Sequence, residues 1–207
     1  MPLRPDVNEV INAEGKRNGE IGAQNSWVIG KLRKGDVLVV DLFGKVLEGT
    51  FAGNNLSTMI KDKSGNGYIV NGGCRDLESV LLVPGCPVYN RGWDPSFLDN
   101  VMLMGVNLPI RTGRAVVMPG DVVLGGSEGV LFIPAHLAEE AVITSEIITL
   151  RDEFGQMRMK QGKYTAGQID NRWTPEIEKD FDSWLKTDKN YILTEEQKQK
   201  YLSGRTW

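Results

Sequence analysis

Two neighbouring charged residues, Arg75 and Asp76, are the side chains best suited to metal-assisted chemistry on an anion. An arginine binds a carboxylate through paired hydrogen bonds, and an aspartate supplies the oxygen ligand that Mg²⁺ prefers. Both directly follow the turn Asn71–Gly73, whose glycines allow backbone conformations that other residues avoid. The pair therefore predicts a site for an anion together with a divalent cation.

A predicted helix begins some twenty residues before this pair, next to another glycine turn. Asn54 and Asn55 are good capping residues, and the apolar spacing after them is helical until Ser64–Gly67. A buried strand, Tyr68–Val70, then leads back towards Arg75. Because the first backbone N–H groups of a helix attract anions, this helix start is a second candidate for binding a carboxylate.

The composition restricts the class of protein. The chain has 207 residues, of which 41% are hydrophobic and 25% charged, with a net charge of -3. This length suits one sizeable core with an extension, and the acidic balance argues against nucleic acid as the main partner. No apolar run approaches the roughly 20 residues of a membrane span, and the first residues have no signal-peptide core. We therefore expect a cytoplasmic protein.

The ligands available for a metal are almost all oxygen atoms. Cys74 and Cys86 are the two cysteines, which argues against a disulfide framework, and His136 is the single histidine. A histidine-rich metal centre is thereby excluded, and little is left for a catalytic triad. Any bound metal is then expected to be Mg²⁺, Mn²⁺ or Ca²⁺.

The remaining pattern predicts an α/β chain. The predicted elements are strands at 37–41, 87–89 and 115–117, a hairpin of 122–124 with 130–133, a short helix from Leu77, a long helix from Pro134 to about Phe154, and two short helices near 174–185 and from Thr194. The apolar runs 101–104 and 106–110 are further candidate strands.

We divide the chain into an N-terminal arm at 1–30, a main domain at 31–155 and a C-terminal helical extension at 156–207. Residues 1–30 are polar and contain many glycines, so they are predicted to be a loop with at most one short helix. The aromatic residues of 156–207 are widely spaced among charges. They predict arms that dock on a surface rather than a second core.

Four motifs together resemble the RraA-like family, which includes the 4-hydroxy-4-methyl-2-oxoglutarate aldolases. In chain order they are the Gly35–Asp41 strand, the Gly53–Asp76 block, Pro87–Gly92, and Pro119 through Gly129 to Pro134. The resemblance implies a three-layer β/β/α fold of the swivelling-domain type, assembled as a homotrimer or homohexamer with active sites between subunits. It also implies a lyase that uses Mg²⁺ (or Mn²⁺) to cleave 4-hydroxy-2-oxo acids, or to decarboxylate oxaloacetate, with release of pyruvate.

The same resemblance implies roles for individual residues. Arg75 matches the arginine that contacts the carboxylate or keto oxygen of the substrate, and Asp76 matches the residue that anchors the metal, partly through water. The backbone N–H groups of Asn55 and Leu56 match those that receive the carboxylate. Asn54 occupies a catalytic and substrate-binding position that is usually Asp or Glu in the aldolases.

This departure from the family pattern leaves the general acid/base unassigned. An amide does not titrate, so Asn54 cannot take the proton of a substrate hydroxyl. Glu48, a few residues upstream, is a candidate to compensate. Decarboxylation of oxaloacetate is less demanding, since no hydroxyl must lose its proton.

Two functions from different classes remain open. The first is a metal-dependent lyase acting on a 2-oxo acid or a related hydroxy acid, which the retention of Asp76 favours. The second is a non-catalytic regulator of an RNA-processing enzyme, because the family also includes an inhibitor of a ribonuclease. Asn54 favours this second function, or a lyase with a changed substrate. Structural roles are the alternatives at these positions: a surface ion pair for Arg75–Asp76 and a helix cap for Asn54. Arg91 and Trp93 are expected either to line the pocket or to pack the loop.

Overall fold

The chain divides into two compact units, Met1–Pro134 and Ala135–Trp207. The computed structural model describes residues 1–189, 191–195, 197 and 199. The boundary between the two units follows Pro134, before the long helix begins. The sequence had instead led us to expect that the main domain ends at residue 155. The functional division into an arm, a domain and an extension remains a prediction.

The first unit combines short helices and short strands, and its last six elements are all strands. Its elements are α1 Pro5–Arg17, α2 Gln24–Gly30, β1 Leu38–Asp41, α3 Asn54–Ser64, β2 Tyr68–Asn71, β3 Gly73–Cys74, α4 Leu77–Leu81, β4 Val88–Tyr89, β5 Gly92–Trp93, β6 Ile110–Thr112, β7 Ala115–Val117, β8 Val122–Gly126 and β9 Gly129–Ile133.

The second unit is helical in its described part. A 3₁₀ turn at Ala135–Leu137 leads into α5 Ala138–Lys160, which is followed by α6 Ala166–Ile169 and α7 Pro175–Asp188. No helix among the described residues is long and apolar enough to cross a bilayer.

A parallel three-stranded sheet in the order β1-β2-β4 supports the first unit. In its register Val40 pairs with Val70 and Tyr68 with Val88. The core beside it contains Ile29 of α2, Ile60 of α3 and buried strand residues. Burying such side chains contributes about 1.5–3 kcal/mol each, and this burial fixes α3 against the sheet.

A two-stranded parallel ladder carries the chain from this sheet towards Arg75. Gly73 of β3 pairs with Gly92 of β5, and Cys74 pairs with Trp93. On the other side, the Phe51 N–H donates to the Gly73 carbonyl at 2.9 Å. Hydrogen bonds thus hold β3 on both sides, and they fix the backbone from which Arg75 and Asp76 follow.

Most predicted elements are confirmed. Helix α3, strands β1, β2, β4 and β7, the β8–β9 hairpin and the short helix α4 lie where the sequence placed them. The long helix begins slightly later than predicted, after the 3₁₀ turn, and ends at Lys160. Hydrogen bonds of a capping box also link Thr194 and Gln197, as predicted.

The prediction of a loop over residues 1–30 is wrong, because this segment forms α1 and α2. Helix α1 has Pro5 in its first turn and Lys16 in its last turn, both favourable positions. Its buried Gly15 lies against the Trp27 ring, and a Cβ there would lie 2.7 Å from Trp27 Cζ3. The glycine that suggested a loop therefore serves close helix packing.

The predicted strands at 101–104 and 106–110 are also wrong, apart from Ile110 itself, which begins β6. Val101 makes one isolated bridge with Pro2, and no further strand forms before β6. Asn100 and Asn107 both adopt left-handed backbone conformations, with φ near 56°. A left-handed residue interrupts an extended chain, so the apolar residues between these positions do not form a ladder.

The aromatic residues of the second unit form a core of their own, which contradicts the prediction of docking arms. Phe154 is fully buried, and its ring centroid lies 5.3 Å from that of Phe181 and 5.5 Å from that of Trp173. Helix α7 contributes apolar residues at helical spacing: Ile177, Phe181, Trp184 and Leu185. Tyr201 and Trp207 lie outside the described residues.

An ion-pair network around Asp180 ties α7 to α5. Arg158 donates to both carboxylate oxygens of Asp180, at 2.9 and 2.8 Å, and Lys163 lies 2.9 Å from Oδ2. The Tyr164 hydroxyl donates to the same oxygen at 3.2 Å. Burial alone would raise the pKa of Asp180, but the hydrogen bonds from Lys163 and Arg158 outweigh burial and hold the pKa below its ordinary value.

We predict that Asp180→Asn lowers the free energy of unfolding by about 1–3 kcal/mol at neutral pH, since charge-assisted hydrogen bonds are lost. A lowered folded-state pKa stabilises the protein above the ordinary carboxyl pKa of about 4, and this stabilisation is lost as the pH falls further. Urea unfolding followed by tryptophan fluorescence measures the difference from the parent, with Asp182→Asn on the same helix as control. An equal effect of the two variants at neutral pH would contradict this role of the network.

Candidate functional site

A cavity of about 620 Å³ opens where α3 and α4 begin. Its lining residues are Asn54, Asn55, Arg75, Asp76, Leu77, Glu78 and Ser79. The structure thus brings together four of the five predicted site residues. The fifth, Leu56, lies one position further along α3, and its side chain packs against the core.

A hydrogen bond between the two helix starts links both halves of the predicted site. The Asn54 backbone N–H donates to Asp76 Oδ2 at 3.1 Å. Asp76 precedes α4 and has a left-handed backbone, with φ of 61°, a conformation that Asp tolerates better than most residues. Its side chain remains 48% exposed, so the carboxylate is still accessible to a ligand.

Gly53 allows this approach because it has no side chain. A Cβ at this position would lie 2.8 Å from Arg75 Cγ and closer still to Asp76 Oδ2. The Gly53 backbone is extended, at φ -122° and ψ -160°, so the requirement for glycine is steric and not conformational. Sequence reasoning treated Gly53 only as part of a loop.

The Arg75 side chain is held by a buried threonine. Arg75 Nη1 donates to Thr50 Oγ1 at 3.4 Å, and the Thr50 hydroxyl donates to the Ser96 carbonyl. The Arg75 backbone N–H is fixed as well, since it donates to the Ala52 carbonyl at 2.9 Å. Arg75 Nε lies 3.9 Å from Asp76 Oδ2, at the limit of an ion pair. The two residues therefore form a weak ion pair, and each also makes a further hydrogen bond.

Helix α3 offers backbone donors at the edge of the cavity. Its first internal hydrogen bond runs from the Ser57 N–H to the Gly53 carbonyl at 2.9 Å. The N–H groups of Asn55 and Leu56 precede it and have no acceptor within the helix. Such groups at a helix start bind carboxylates.

Two buried hydroxyl groups, those of Ser57 and Tyr68, stabilise the turn at Gly53. Ser57 Oγ donates to the Gly53 carbonyl at 2.8 Å and lies 2.7 Å from the Tyr68 hydroxyl. Burial raises the pKa of Tyr68 well above its ordinary value. Burial also raises the pKa of the Cys74 thiol.

Several other candidate residues lie outside the cavity lining. Glu48 is exposed, and its backbone lies beside Asp94. Arg91 Nε donates to Asn71 Oδ1 at the end of β2, and Trp93 packs against the core. Glu78 and Ser79 do line the cavity, although sequence reasoning did not select them. Their positions two and three residues after Asp76 were the available signal.

The donor atoms of the cavity suit one type of metal. Among the described residues, no group of three or more His, Cys, Asp or Glu side chains is placed to hold an ion. The residues that line the cavity include two with carboxylates, Asp76 and Glu78, and two with amides, Asn54 and Asn55. Mg²⁺ keeps several waters and needs only one or two carboxylates, so these residues fit a largely hydrated Mg²⁺. They do not fit the nitrogen and sulfur environment typical of Zn²⁺.

A family model described as RraA-like, Aldolase/RraA, matches residues 19–132. A curated protein of Halalkalibacterium halodurans, named "Putative 4-hydroxy-4-methyl-2-oxoglutarate aldolase", is 30% identical over 108 residues, which are 52% of this chain and 50% of that protein. Protein DlpA of Legionella pneumophila is 29% identical over 60% of this chain and 20% of its own length. The chain thus spans half or less of the length of these curated relatives.

Two solved structures are also similar to this chain in fold. Streptomyces coelicolor RraAS2, described as an unusual member of the RNase ES inhibitor RraA protein family, is 28% identical with a TM-score of 0.63, over 76% of this chain and 73% of that one. An uncharacterized Pseudomonas syringae protein is 21% identical with a TM-score of 0.64, over 72% and 69% of the two chains. These similarities confirm the expected α/β fold of the RraA type, with helices following it.

We predict that Gly53→Ala displaces the Asp76 carboxylate, because a Cβ leaves no space for it, while the chain remains folded since flexible side chains absorb the clash. The measurement is an amide NMR spectrum with hydrogen exchange, in which the Asn54 N–H should shift and lose protection. Gly30→Ala is the matched control, because a Cβ at Gly30 meets no atom within 4 Å. An unchanged Asn54 amide in Gly53→Ala would refute the steric role of this glycine.

Proposed function

Because the chain belongs to the RraA-like family, we propose that the cavity between α3 and α4 is the active site of a Mg²⁺-dependent carbon–carbon lyase for 2-oxo acids. One observation carries this proposal. Arg75, Asp76 and the start of α3 converge on a single cavity, and Asp76 is held there by the Asn54 N–H. The 30% identity with the Halalkalibacterium protein supports the same reaction class.

The proposed substrates are 4-hydroxy-2-oxo acids and oxaloacetate, with pyruvate as the shared product. The N–H groups of Asn55 and Leu56 bind the substrate carboxylate, and the Asn54 side-chain amide donates a further hydrogen bond to the bound acid. Arg75 donates to the keto or carboxylate oxygen, and Thr50 keeps the guanidinium oriented. A preorganised donor of this kind stabilises charge that develops during bond cleavage.

Asp76 is the residue that would hold the metal, directly or through water. A divalent cation there supplies Lewis-acid stabilisation of the negative charge that the reaction places on the keto oxygen. Gly53 keeps space for the carboxylate, and the left-handed backbone of Asp76 directs the following residues into α4. Mn²⁺ satisfies the same oxygen ligands and is the expected substitute.

We further propose that the chain assembles as a homotrimer or homohexamer. The β8–β9 hairpin supports this, because Leu124 and Leu131 are cross-strand partners and are 59% and 62% exposed. Paired apolar side chains on a surface favour an interface. Size-exclusion chromatography with light scattering measures the assembly directly.

A non-catalytic regulator of an RNA-processing enzyme is the second candidate. The similarity to Streptomyces coelicolor RraAS2 favours it, and so does the amide at Asn54. A regulator that acts only through protein contacts has no need of Mg²⁺. Dependence on the metal therefore separates the two candidates.

We predict that the protein decarboxylates oxaloacetate with Mg²⁺ above the rate of Mg²⁺ alone, and that EDTA removes this activity. Asp76→Asn should lower the rate by at least about tenfold, since the metal loses its carboxylate. Asp62→Asn, an exposed carboxylate on α3, is the control and should retain the parent rate. Pyruvate release measured with a coupled dehydrogenase gives the rates.

The remaining outcomes of this assay are informative as well. Activity in Asn54→Asp but not in the parent would mean that the lyase site is inactivated at one position. No activity in either protein would contradict the lyase proposal and favour the regulator.

A further inference from the structure

Arg91 lies at the edge of the first unit's sheet where the parallel strands end. It follows β4 directly after Asn90, while β1 ends at Asp41 and β2 at Asn71, and these two terminal residues pair in the sheet register. Crevices at this end of parallel strands commonly bind ligands in α/β proteins. None of Arg91, Asp41 and Asn71 lines the cavity between α3 and α4, so this edge is a separate candidate for a site.

The Asn71 side chain holds the Arg91 guanidinium in place. Arg91 Nε donates to Asn71 Oδ1. Asn71 Nδ2 in turn donates to Asp41 Oδ1 at 2.8 Å and to the Arg111 carbonyl at 3.3 Å. Because the amide is held by two other segments, it orients Arg91 and also links it to β6, the strand that carries Arg111.

Two glycine turns flank the Arg91 side chain and bring a second guanidinium to it. A Cβ at Gly44 would lie 3.9 Å from Arg91 Nε, and a Cβ at Gly113 would lie 3.9 Å from Arg91 Nη2. Arg111 Nε donates to the Gly113 carbonyl at 2.9 Å. Both arginines are exposed, and their Nη groups make no hydrogen bond within the part of the chain that the structure describes. Two oriented guanidiniums thus present donors at one turn.

No carboxylate of the described residues forms an ion pair with either arginine. Asp41 is connected to Arg91 only through the Asn71 amide, and its Oδ1 also accepts from the Phe43 N–H at 2.8 Å. Phe43 has φ of 45°, a conformation that is rare for a bulky residue and that recurs at ligand sites. The side chains held here are two guanidiniums and one carboxylate, which leaves one positive charge unbalanced.

We propose that Arg91 and Arg111 form a binding site for the carboxylate group of a small organic acid, distinct from the cavity between α3 and α4. The two Nη groups of a guanidinium match the two oxygens of a carboxylate, and one negative charge balances the excess. Asn71 and the Gly113 carbonyl orient both guanidiniums before a ligand arrives, so little side-chain freedom is lost on binding. Such a site would operate whether or not the protein is a lyase.

Side-chain NMR of the two arginines tests this site, because both Nε–H groups are hydrogen-bonded and serve as separate reporters. Sodium acetate, added without Mg²⁺ at neutral pH and constant ionic strength, should shift both signals saturably, with a Kd of about 1–10 mM. Sodium chloride should not shift them. Inorganic phosphate should bind more weakly than acetate, because the Asp41 carboxylate lies one amide away from Arg91 and repels a dianion.

Variants distinguish an oriented site from diffuse attraction. Arg91→Gln should weaken acetate binding at least about tenfold, observed at the Arg111 signal, since charge-assisted hydrogen bonds are lost. Arg91→Lys should weaken it as well, because lysine keeps the charge but not the paired donors. Arg114→Gln is the matched control: it removes an exposed guanidinium from the same turn, one that makes no hydrogen bond or ion pair with the described residues. This control should change the Kd by no more than about twofold.

Four results would overturn the proposal, and none of them bears on the lyase function, because no activity is measured. The first is a pair of Nε–H signals that acetate does not shift. The second is an equal loss of binding in Arg91→Gln and Arg114→Gln, which would mean diffuse attraction. Tighter binding of phosphate than of acetate would make the carboxylate class wrong. A lower mass of Arg91→Gln in light scattering, with no response of the parent to acetate, would mean that the arginines bind a second copy of the chain.

Discussion

The close approach of Gly53 to Arg75 and Asp76 is the constraint on which the candidate site depends. At this point the start of α3 lies so near the start of α4 that no Cβ fits between them. The Asn54 N–H, which has no acceptor inside its own helix, finds one in the Asp76 carboxylate. One hydrogen bond therefore caps a helix and also orients an acidic side chain towards a cavity. The hydrogen bond between the Ser57 and Tyr68 hydroxyls and the β3–β5 ladder stabilise this geometry.

The elements around the site could be predicted because their signals are local. Helix α3 begins at Asn54, directly after a glycine, and ends just before Gly65, which has φ of 78°, the conformation that terminates helices. Strand β2 is an uninterrupted apolar run, and the β8–β9 hairpin has a glycine at its turn. For these segments, propensity and tertiary packing favour the same structure.

Other parts depend on contacts between distant residues, which spacing along the chain does not reveal. Gly15 lies inside helix α1, where the Trp27 ring packs against it and leaves no space for a side chain. The apolar residues near 101–110 are typical of strands, but left-handed Asn107 interrupts them. In the second unit, Phe154 and Phe181 come from different helices and meet in one core. Thr50 likewise supports Arg75 across 25 residues of sequence, so its role follows from the fold alone.

The oxygen-rich cavity also explains how a lyase site could tolerate an amide where an acid is usual. Asn54 contributes its backbone N–H to Asp76, and this contribution is independent of the side chain. Arg75 keeps its support from Thr50, and a second carboxylate, Glu78, lines the same cavity. The contacts that fix Arg75 and Asp76 therefore do not require an acidic side chain at residue 54.

The central claim is that this cavity binds a 2-oxo acid together with a divalent cation. Calorimetric titration with oxalate, a planar mimic of the pyruvate enolate, tests it most directly when performed with and without Mg²⁺ on the parent and on Arg75→Lys. We predict that oxalate binds only with Mg²⁺ and that Arg75→Lys weakens binding, because lysine cannot form the paired hydrogen bonds of arginine. Oxalate binding that is independent of Mg²⁺, or no binding at all, would contradict the claim.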